Sequence, residues 1–102
     1  MKRLELKAAA RAELREIYEF SVGKFGIKVA EAYLAGLRAL FDRIVDYPAA
    51  GRVYPGVTPE MRVMVFRQHR VFYQVAGDLI LIVRVLHSRR DARGLLGGYW
   101  VD

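Results

Sequence analysis

Three β segments follow one another closely in the second half of the chain, and their spacing constrains the fold most. The segments are 61–66, 70–75 and 79–87, and each is rich in aliphatic and aromatic residues. The separators Arg67-Gln68-His69 and Ala76-Gly77-Asp78 are short enough for hairpins, and Gly-Asp is a strong turn signal. The sequence therefore predicts an antiparallel meander.

The first half of the chain predicts two helices. Apolar residues recur at helical spacing from about residue 8 to Gly26, and again from residue 30 to Tyr47-Pro48. A glycine tolerates the left-handed conformation that ends many helices, and the residue before a proline is pushed out of the α region. Residues 48–60 hold all three prolines and are predicted as a loop, and 3–6 alternate like a short edge strand.

These elements make one domain, since 102 residues are near the usual size for a single core. Two amphipathic helices joined by a few residues form an antiparallel hairpin. The predicted fold class is α/β (α+β), with an N-terminal helical hairpin packed on one face of a three- to four-stranded antiparallel sheet.

Side chains alternate across a strand, so each predicted strand divides into two rows. The row expected to pack under the helices is apolar throughout: Val63 and Val65; Val71, Tyr73 and Val75; Leu79, Leu81, Val83 and Val85. The other row carries one arginine per strand: Arg62, Met64 and Phe66; Arg70, Phe72 and Gln74; Ile80, Ile82, Arg84 and Leu86. A hairpin covers only one face, so the second row is expected to form an open, partly hydrophobic, basic surface of the kind that binds a partner.

The register of the hairpins decides whether the three arginines share that surface. Three-residue loops keep Arg62, Arg70 and Arg84 on one face. A two-residue turn at Gly77-Asp78 would move Arg84 to the helix side unless a β-bulge restored the alternation. The sequence leaves these alternatives open.

Charge and composition favour an anionic partner and exclude several kinds of site. The chain has 17 Lys and Arg against 11 Asp and Glu, a formal charge of +6. Without cysteine it has no disulfide, thiolate metal site or cysteine nucleophile, and two histidines are too few for a histidine-based zinc site. We expect no metal and no cofactor. The start lacks a secretory signal, and the longest aliphatic run, 79–83, is too short to span a bilayer, so a cytoplasmic location is expected.

Several motifs resemble those of ParE/RelE-type toxins, and the second half resembles the ParE branch. The first half has Ala10-x-x-Glu13-Leu14-x-x-Ile17-Tyr18, then Gly26, Ala30-x-x-Tyr33, Tyr47-Pro48 and Gly51-Arg52. The second half has His69-Arg70-Val71-Phe72-Tyr73, Gly77-Asp78 and Ile82-Val83-Arg84-Val85-Leu86-His87-x-Arg89-Arg90-Asp91. The resemblance implies a ParE/RelE-like toxin domain over 1–96, followed by a C-terminal tail, 97–102.

The resemblance also implies function and partners. It implies the toxin of a type II toxin–antitoxin pair, neutralised by a ParD-like antitoxin in a hetero-oligomer, with DNA gyrase as the expected target and no direct specific DNA binding. An acidic antitoxin segment that folds over the toxin suits a basic, apolar surface. The residues expected to contact antitoxin or target are Arg62, Met64, Phe66, Arg70, Phe72, Arg84, Arg89 and Arg90.

Two alternatives to gyrase inhibition stay open. In the RelE branch, which cuts mRNA in the ribosome, lysines, arginines and a late tyrosine do the chemistry, and here Arg70, His87 and Arg89 would be the catalytic candidates. However, Met61 and Val63 stand where that branch has lysines, and Leu95 stands near the place of the tyrosine. Gyrase inhibition without catalysis is therefore the preferred hypothesis. The second alternative is a non-toxic, basic nucleic-acid-binding module.

Overall fold

Two helices lie on one face of a five-stranded mixed sheet in the computed structural model, which describes residues 2–96. The strands run in the order β1-β5-β4-β3-β2, and only β1 and β5 pair in parallel. The elements are β1 (Arg3–Leu6), α1 (Ala8–Phe25), α2 (Ile27–Asp46), β2 (Arg52–Tyr54), β3 (Met61–Phe66), β4 (His69–Ala76), β5 (Leu79–His87) and a short 3-10 helix (Arg93–Leu95).

The predicted architecture of a helical hairpin on a sheet is confirmed, and the sheet is larger than expected. The predicted edge strand, 3–6, is β1, and it pairs in parallel with the start of β5, so the sheet is mixed rather than antiparallel. The extra strand is β2, which lies inside the predicted loop and pairs with β3. Gly26 alone joins the helices, with a φ of 93° that favours glycine. The predicted tail, 97–102, with Tyr99 and Trp100, lies outside the described residues.

The alternation of strand faces differs from the prediction because both hairpin turns have two residues. Phe66 pairs with His69 across Arg67-Gln68, which places Val63 opposite Phe72 and Met64 opposite Val71. A β-bulge between Phe72 and Tyr73 then adjusts the alternation in β5. The predicted single arginine-bearing face is therefore wrong. Arg62 belongs to the side that faces the helices, and Arg70 and Arg84 belong to the other side.

Each face of the sheet buries a cluster of apolar side chains. On the helix face, Val71, Tyr73, Ile80, Ile82 and Val85 pack against Leu37, Leu40, Phe41 and Ile44 of α2 and Ala10 of α1. On the opposite face, called the outer face here, Met61, Val63, Phe72, Val83 and Leu86 pack against Val57, Ala92 and Leu96. The expectation that this second face is open is wrong, because the loop after β2 and the segment after β5 cover it.

Tyr73 ties the loop after α2 to the sheet. Its hydroxyl donates to the Pro48 carbonyl at 2.7 Å and accepts from the Gly51 N–H at 2.9 Å. A Cβ on Gly51 would lie 2.6 Å from that hydroxyl oxygen, so only glycine fits there without a shift. Within residues 2–96, neither helix is long and apolar enough to cross a membrane.

Replacing Tyr73 by phenylalanine tests this connection. We expect Tyr73→Phe to lower the free energy of unfolding by about 1–3 kcal/mol, because the buried Gly51 N–H and Pro48 carbonyl would each lose a partner. Tyr47→Phe is the matched control, since Tyr47 is 68% exposed, and it should change stability by less than about 0.5 kcal/mol. Urea unfolding followed by circular dichroism measures both. Equal effects would contradict the role of the hydroxyl.

Candidate functional site

Arg84 is committed to an ion pair with Glu13 of α1. Its Nε lies 2.9 Å from Glu13 Oε2, and the two side chains are 17% and 10% exposed. The other carboxylate oxygen accepts the Val85 N–H at 2.9 Å, where β1 no longer covers the edge of β5. Arg84 Nη1 also donates to the Leu95 carbonyl at 2.8 Å. This arginine therefore joins α1, β5 and the segment that covers the outer face, rather than lying on an open surface.

The candidates on β3 also have internal partners. The Arg62 guanidinium donates to the Gly51 carbonyl at 2.6 Å and lies 3.4 Å from the Glu60 carboxylate. Met64 and Phe66 are partly buried against the cluster under the helices, and the Phe66 ring meets Tyr33 edge to face at 5.2 Å. Alternation placed these three residues on the open face, whereas the register places them on the helix side.

Three of the predicted arginines meet where β4 begins and β5 ends. The Arg70 guanidinium lies 5.1 Å from the Phe72 ring and donates to the Arg90 carbonyl. Its Nε is buried and has no hydrogen-bond partner in residues 2–96. Phe72 itself is fully buried, whereas Arg89 and Arg90 are exposed. This end of the sheet keeps the cationic character that the sequence predicts.

His69 and His87 lie side by side at the same end of the sheet. They are direct partners across β4 and β5, with ring centroids 5.5 Å apart, and we call them the histidine pair. His69 Nδ1 lies 2.6 Å from the Tyr33 hydroxyl, and His87 Nδ1 accepts the Arg89 N–H at 3.2 Å. Burial lowers the pKa of His69, and repulsion from His87 lowers it further. A hydrogen bond at Nδ1 therefore fixes the orientation of each imidazole ring.

A groove lies beside the histidine pair, between the helical hairpin and the ends of β4 and β5. It has a volume of about 540 Å³, and we call it the hairpin groove. Two of its aromatic side chains, Phe20 and Phe25, are 65% and 58% exposed, and Lys24 Nζ lies 5.6 and 5.7 Å from their ring centroids. It is lined by Glu13, Glu16, Ile17, Phe20, Ser21, Lys24, Phe25, Val29, Tyr33, Gln68, His69, Val85, Leu86, His87 and Arg90.

Most residues of this groove lie outside the predicted site, although one sequence pattern indicates it. Phe20 and Phe25 fall outside the apolar stripe that predicts α1, so the helix pattern alone places two large aromatic side chains in solvent. The sequence predicts a turn at His69, whereas this residue begins β4. No cluster of three or more potential metal ligands occurs among the residues that the structure describes.

Comparisons with known proteins agree on one family. The model of the family described as "ParE toxin of type II toxin-antitoxin system, parDE" matches residues 4–92. "Toxin ParE1" of Mycobacterium tuberculosis is 38% identical over 87 residues, which cover 84% of this chain and 89% of the relative. "Toxin ParE1" of Caulobacter vibrioides is 33% identical over 97 residues, covering 95% of this chain and 100% of the relative.

A solved structure shares the fold. It is described as "Chromosomal ParDE TA system from P. aeruginosa", and it aligns with a TM-score of 0.73. The alignment covers 85% of this chain and 96% of the other, at 21% sequence identity. At that identity the likeness supports the fold of two helices on a sheet.

Removing the Glu13 carboxylate tests the ion pair with Arg84. We expect Glu13→Ala to lower the free energy of unfolding by about 2–4 kcal/mol, because it leaves a mostly buried guanidinium and the Val85 N–H unpaired. Glu19→Ala removes an exposed carboxylate from the same helix and should cost less than about 0.5 kcal/mol. Chemical unfolding measures the difference, and similar losses for both variants would contradict a structural ion pair.

The lowered pKa of His69 predicts that stability falls on acidification. Between the lowered pKa of the folded protein and the unfolded value of about 6.5, the unfolded chain binds more protons, so the free energy of unfolding rises with pH. The melting temperature should therefore be lower at pH 5.5 than at pH 7.5. His69→Gln should reduce that difference, whereas an unchanged pH dependence in this variant would exclude His69 as its source.

Proposed function

The chain belongs to the ParE toxin family of type II toxin–antitoxin systems, and we propose that it inhibits DNA gyrase and is neutralised by a ParD-like antitoxin. The observation that carries the proposal is the family match over residues 4–92, which includes the helical hairpin, strands β2 to β5 and most of β1. Blocking of DNA replication is the expected consequence in the cell, and the cytoplasm is the expected location.

The packing of the outer face supports gyrase inhibition over ribosome-dependent RNA cleavage. Met61 and Val63, which occupy positions where the RelE branch has lysines, are 0% and 3% exposed and belong to the outer-face cluster. General acid–base catalysis needs groups that reach the substrate. Arg70 is bound to the Arg90 carbonyl, whereas His87 and Arg89 are exposed. The two buried apolar side chains at 61 and 63 are therefore the feature that disfavours cleavage.

The charge distribution supports an acidic antitoxin. The chain carries a net charge of +6, and Arg89 and Arg90 lie exposed beside the hairpin groove and its exposed aromatic side chains. A segment that is disordered alone and folds on binding can cover such a surface with apolar and acidic side chains together. This arrangement favours a toxin–antitoxin hetero-oligomer over specific DNA binding by the toxin itself, because the cations alternate with apolar groups.

A supercoiling assay tests the proposed target. Purified toxin should inhibit supercoiling of relaxed plasmid by DNA gyrase or trap cleaved plasmid, and excess ParD-like protein from the neighbouring reading frame should restore activity. Topoisomerase I relaxing the same plasmid is the control for non-specific DNA binding, and it should be unaffected. Undisturbed supercoiling at high toxin excess, together with cleavage of translated mRNA that Arg70→Ala abolishes, would overturn the proposal in favour of the nuclease.

A further inference from the structure

The first strand leaves one edge of the sheet without a neighbour. β1 is the outermost strand in the order β1-β5-β4-β3-β2, and within residues 2–96 it pairs only with β5. A strand at the edge of a sheet presents a row of backbone N–H and C=O groups with which another chain can pair. β1 contains no proline that would prevent such pairing.

The free backbone groups of β1 belong to Leu4 and Leu6. The Arg3 N–H donates to the Asp78 carbonyl at 2.7 Å, so Arg3 and every second residue after it turn their backbone groups toward β5. Successive residues of a strand point these groups in opposite directions, so the N–H and C=O of Leu4 and Leu6 face away from the sheet. The Leu6 carbonyl accepts a hydrogen bond from the exposed side chain of Arg11 at 3.2 Å, which agrees with this orientation.

Antiparallel pairing of two β1 strands about Leu4 satisfies both the backbone and the charges. Leu4 of each copy would exchange two backbone hydrogen bonds with Leu4 of the other, because its N–H and C=O point in the same direction. In that register residue 3 of one copy lies opposite residue 5 of the other. Arg3 therefore faces Glu5 of the second copy, and symmetry repeats this contact. Opposite charges directly across a pair of strands stabilise the pairing.

The side chains of β1 also suit a second copy. Arg3 and Glu5 lie on the outer face with 62% and 56% of their side chains exposed, and at 3.5 Å their ion pair within the chain is worth little. Both are therefore available to a partner. Leu4 and Leu6 are only partly buried against the cluster under the helices. Pairing would place the two Leu4 side chains next to each other and cover apolar surface that one chain leaves accessible.

The opposite edge of the sheet lacks these features. β2 has only three residues, Arg52–Tyr54, and Pro55 follows it directly. Short strands and prolines are common means of keeping the edge of a sheet from pairing. Pairing of two β2 strands about Val53 would place Arg52 opposite Tyr54, without an opposite charge. Of the two edges, only β1 has a self-complementary pattern.

The charges of β1 favour a second copy over a strand from another protein. A basic side chain opposite Arg3 and an acidic side chain opposite Glu5 would both be repelled, so a partner needs the two charges in the reverse order. An acidic segment meets only half of this requirement. A second β1 strand in the antiparallel direction meets all of it by symmetry.

We propose that two copies of this chain associate by antiparallel pairing of their β1 strands, which joins two five-stranded sheets into one continuous sheet. The twofold axis passes between the Leu4 residues perpendicular to the sheet, so both helical hairpins lie on the same face. No residue of β1 lines the hairpin groove, which stays open in each copy. Residues 2–6 are far fewer than the roughly 20–30 residues a side of a standard interface, so the dimer is weak and forms at high toxin concentration.

Sedimentation equilibrium of the purified toxin tests the pairing. The wild-type chain should exchange reversibly between monomer and dimer as its concentration increases from micromolar to millimolar. Arg3→Glu places like charges at both symmetric contacts and should weaken dimerisation about tenfold. Glu5→Arg should have the same effect. The double variant with both exchanges restores opposite charges across the axis and should recover the wild-type dimerisation constant.

Arg52→Glu is the matched control for these charge changes. It replaces an exposed arginine on β2 and lowers the positive charge of the chain as much as Arg3→Glu does. A lower net charge reduces the repulsion between two basic copies, so this variant should dimerise at least as well as wild type. All the exchanged side chains are exposed, and the melting temperatures should therefore stay close to that of wild type.

Disulfide cross-linking tests the register, because the sequence contains no cysteine. An equal mixture of Arg3→Cys and Glu5→Cys chains should form a mixed disulfide dimer on mild oxidation, since the Cα atoms of opposite residues would lie about 4.5 Å apart. Each variant alone should cross-link far less, because its thiols would be offset by two residues, or about 7 Å, along the strands. Mass spectrometry identifies the mixed species.

Three outcomes would overturn the proposal. The first is a toxin that stays monomeric at millimolar concentration. The second is a dimer that Arg3→Glu leaves unaltered, or that Arg52→Glu weakens as much. The third is a monomer in which the antitoxin, but not a second copy, slows hydrogen exchange of the Leu4 N–H, which would assign the edge to the antitoxin. None of these measurements involves gyrase, so the supercoiling assay is read separately.

Discussion

The Glu13 carboxylate holds together parts of the molecule that the sequence separates widely. It pairs with Arg84, accepts the Val85 N–H at the point where the sheet edge would otherwise be bare, and through Arg84 reaches the Leu95 carbonyl. One side chain from the first helix thus fixes the last strand and the segment beyond it. Because that segment covers the outer face, the packing of both faces of the sheet depends on this carboxylate.

With both faces of the sheet covered, the surfaces that remain for partners lie at its ends and edges. At the end where β4 begins and β5 finishes, the histidine pair, Arg89 and Arg90 lie next to the exposed aromatic side chains of the helical hairpin. Cationic and apolar groups therefore lie together where the helical hairpin meets the end of the sheet, instead of on the face of the sheet.

Sequence patterns predicted the elements well and their faces poorly. The helices and the three long strands follow from periodicity and from Gly26, Pro48 and Gly77, which act locally. The prediction of which side chains share a face is wrong because it depends on the length of one turn. The turn has two residues, Arg67-Gln68, instead of the expected three, and this difference exchanges the two rows of β3 relative to β4. Glu13 lies 71 residues from Arg84, and no local pattern reports such a contact. The short strand β2 lies among prolines and glycines, which predict a loop. It forms by pairing with β3, and the local sequence does not show that pairing.

The parallel pairing of β1 with β5 has a consequence for synthesis of the toxin. Arg3 to Leu6 pair with Leu79 to Ile82, which are synthesised much later than they are. Until β5 has left the ribosome, β1 has no strand to pair with and Glu13 has no arginine to bind. The sheet therefore forms in full only after β5 has been synthesised, and a truncated polypeptide that ends before β5 lacks the strand between β1 and β4.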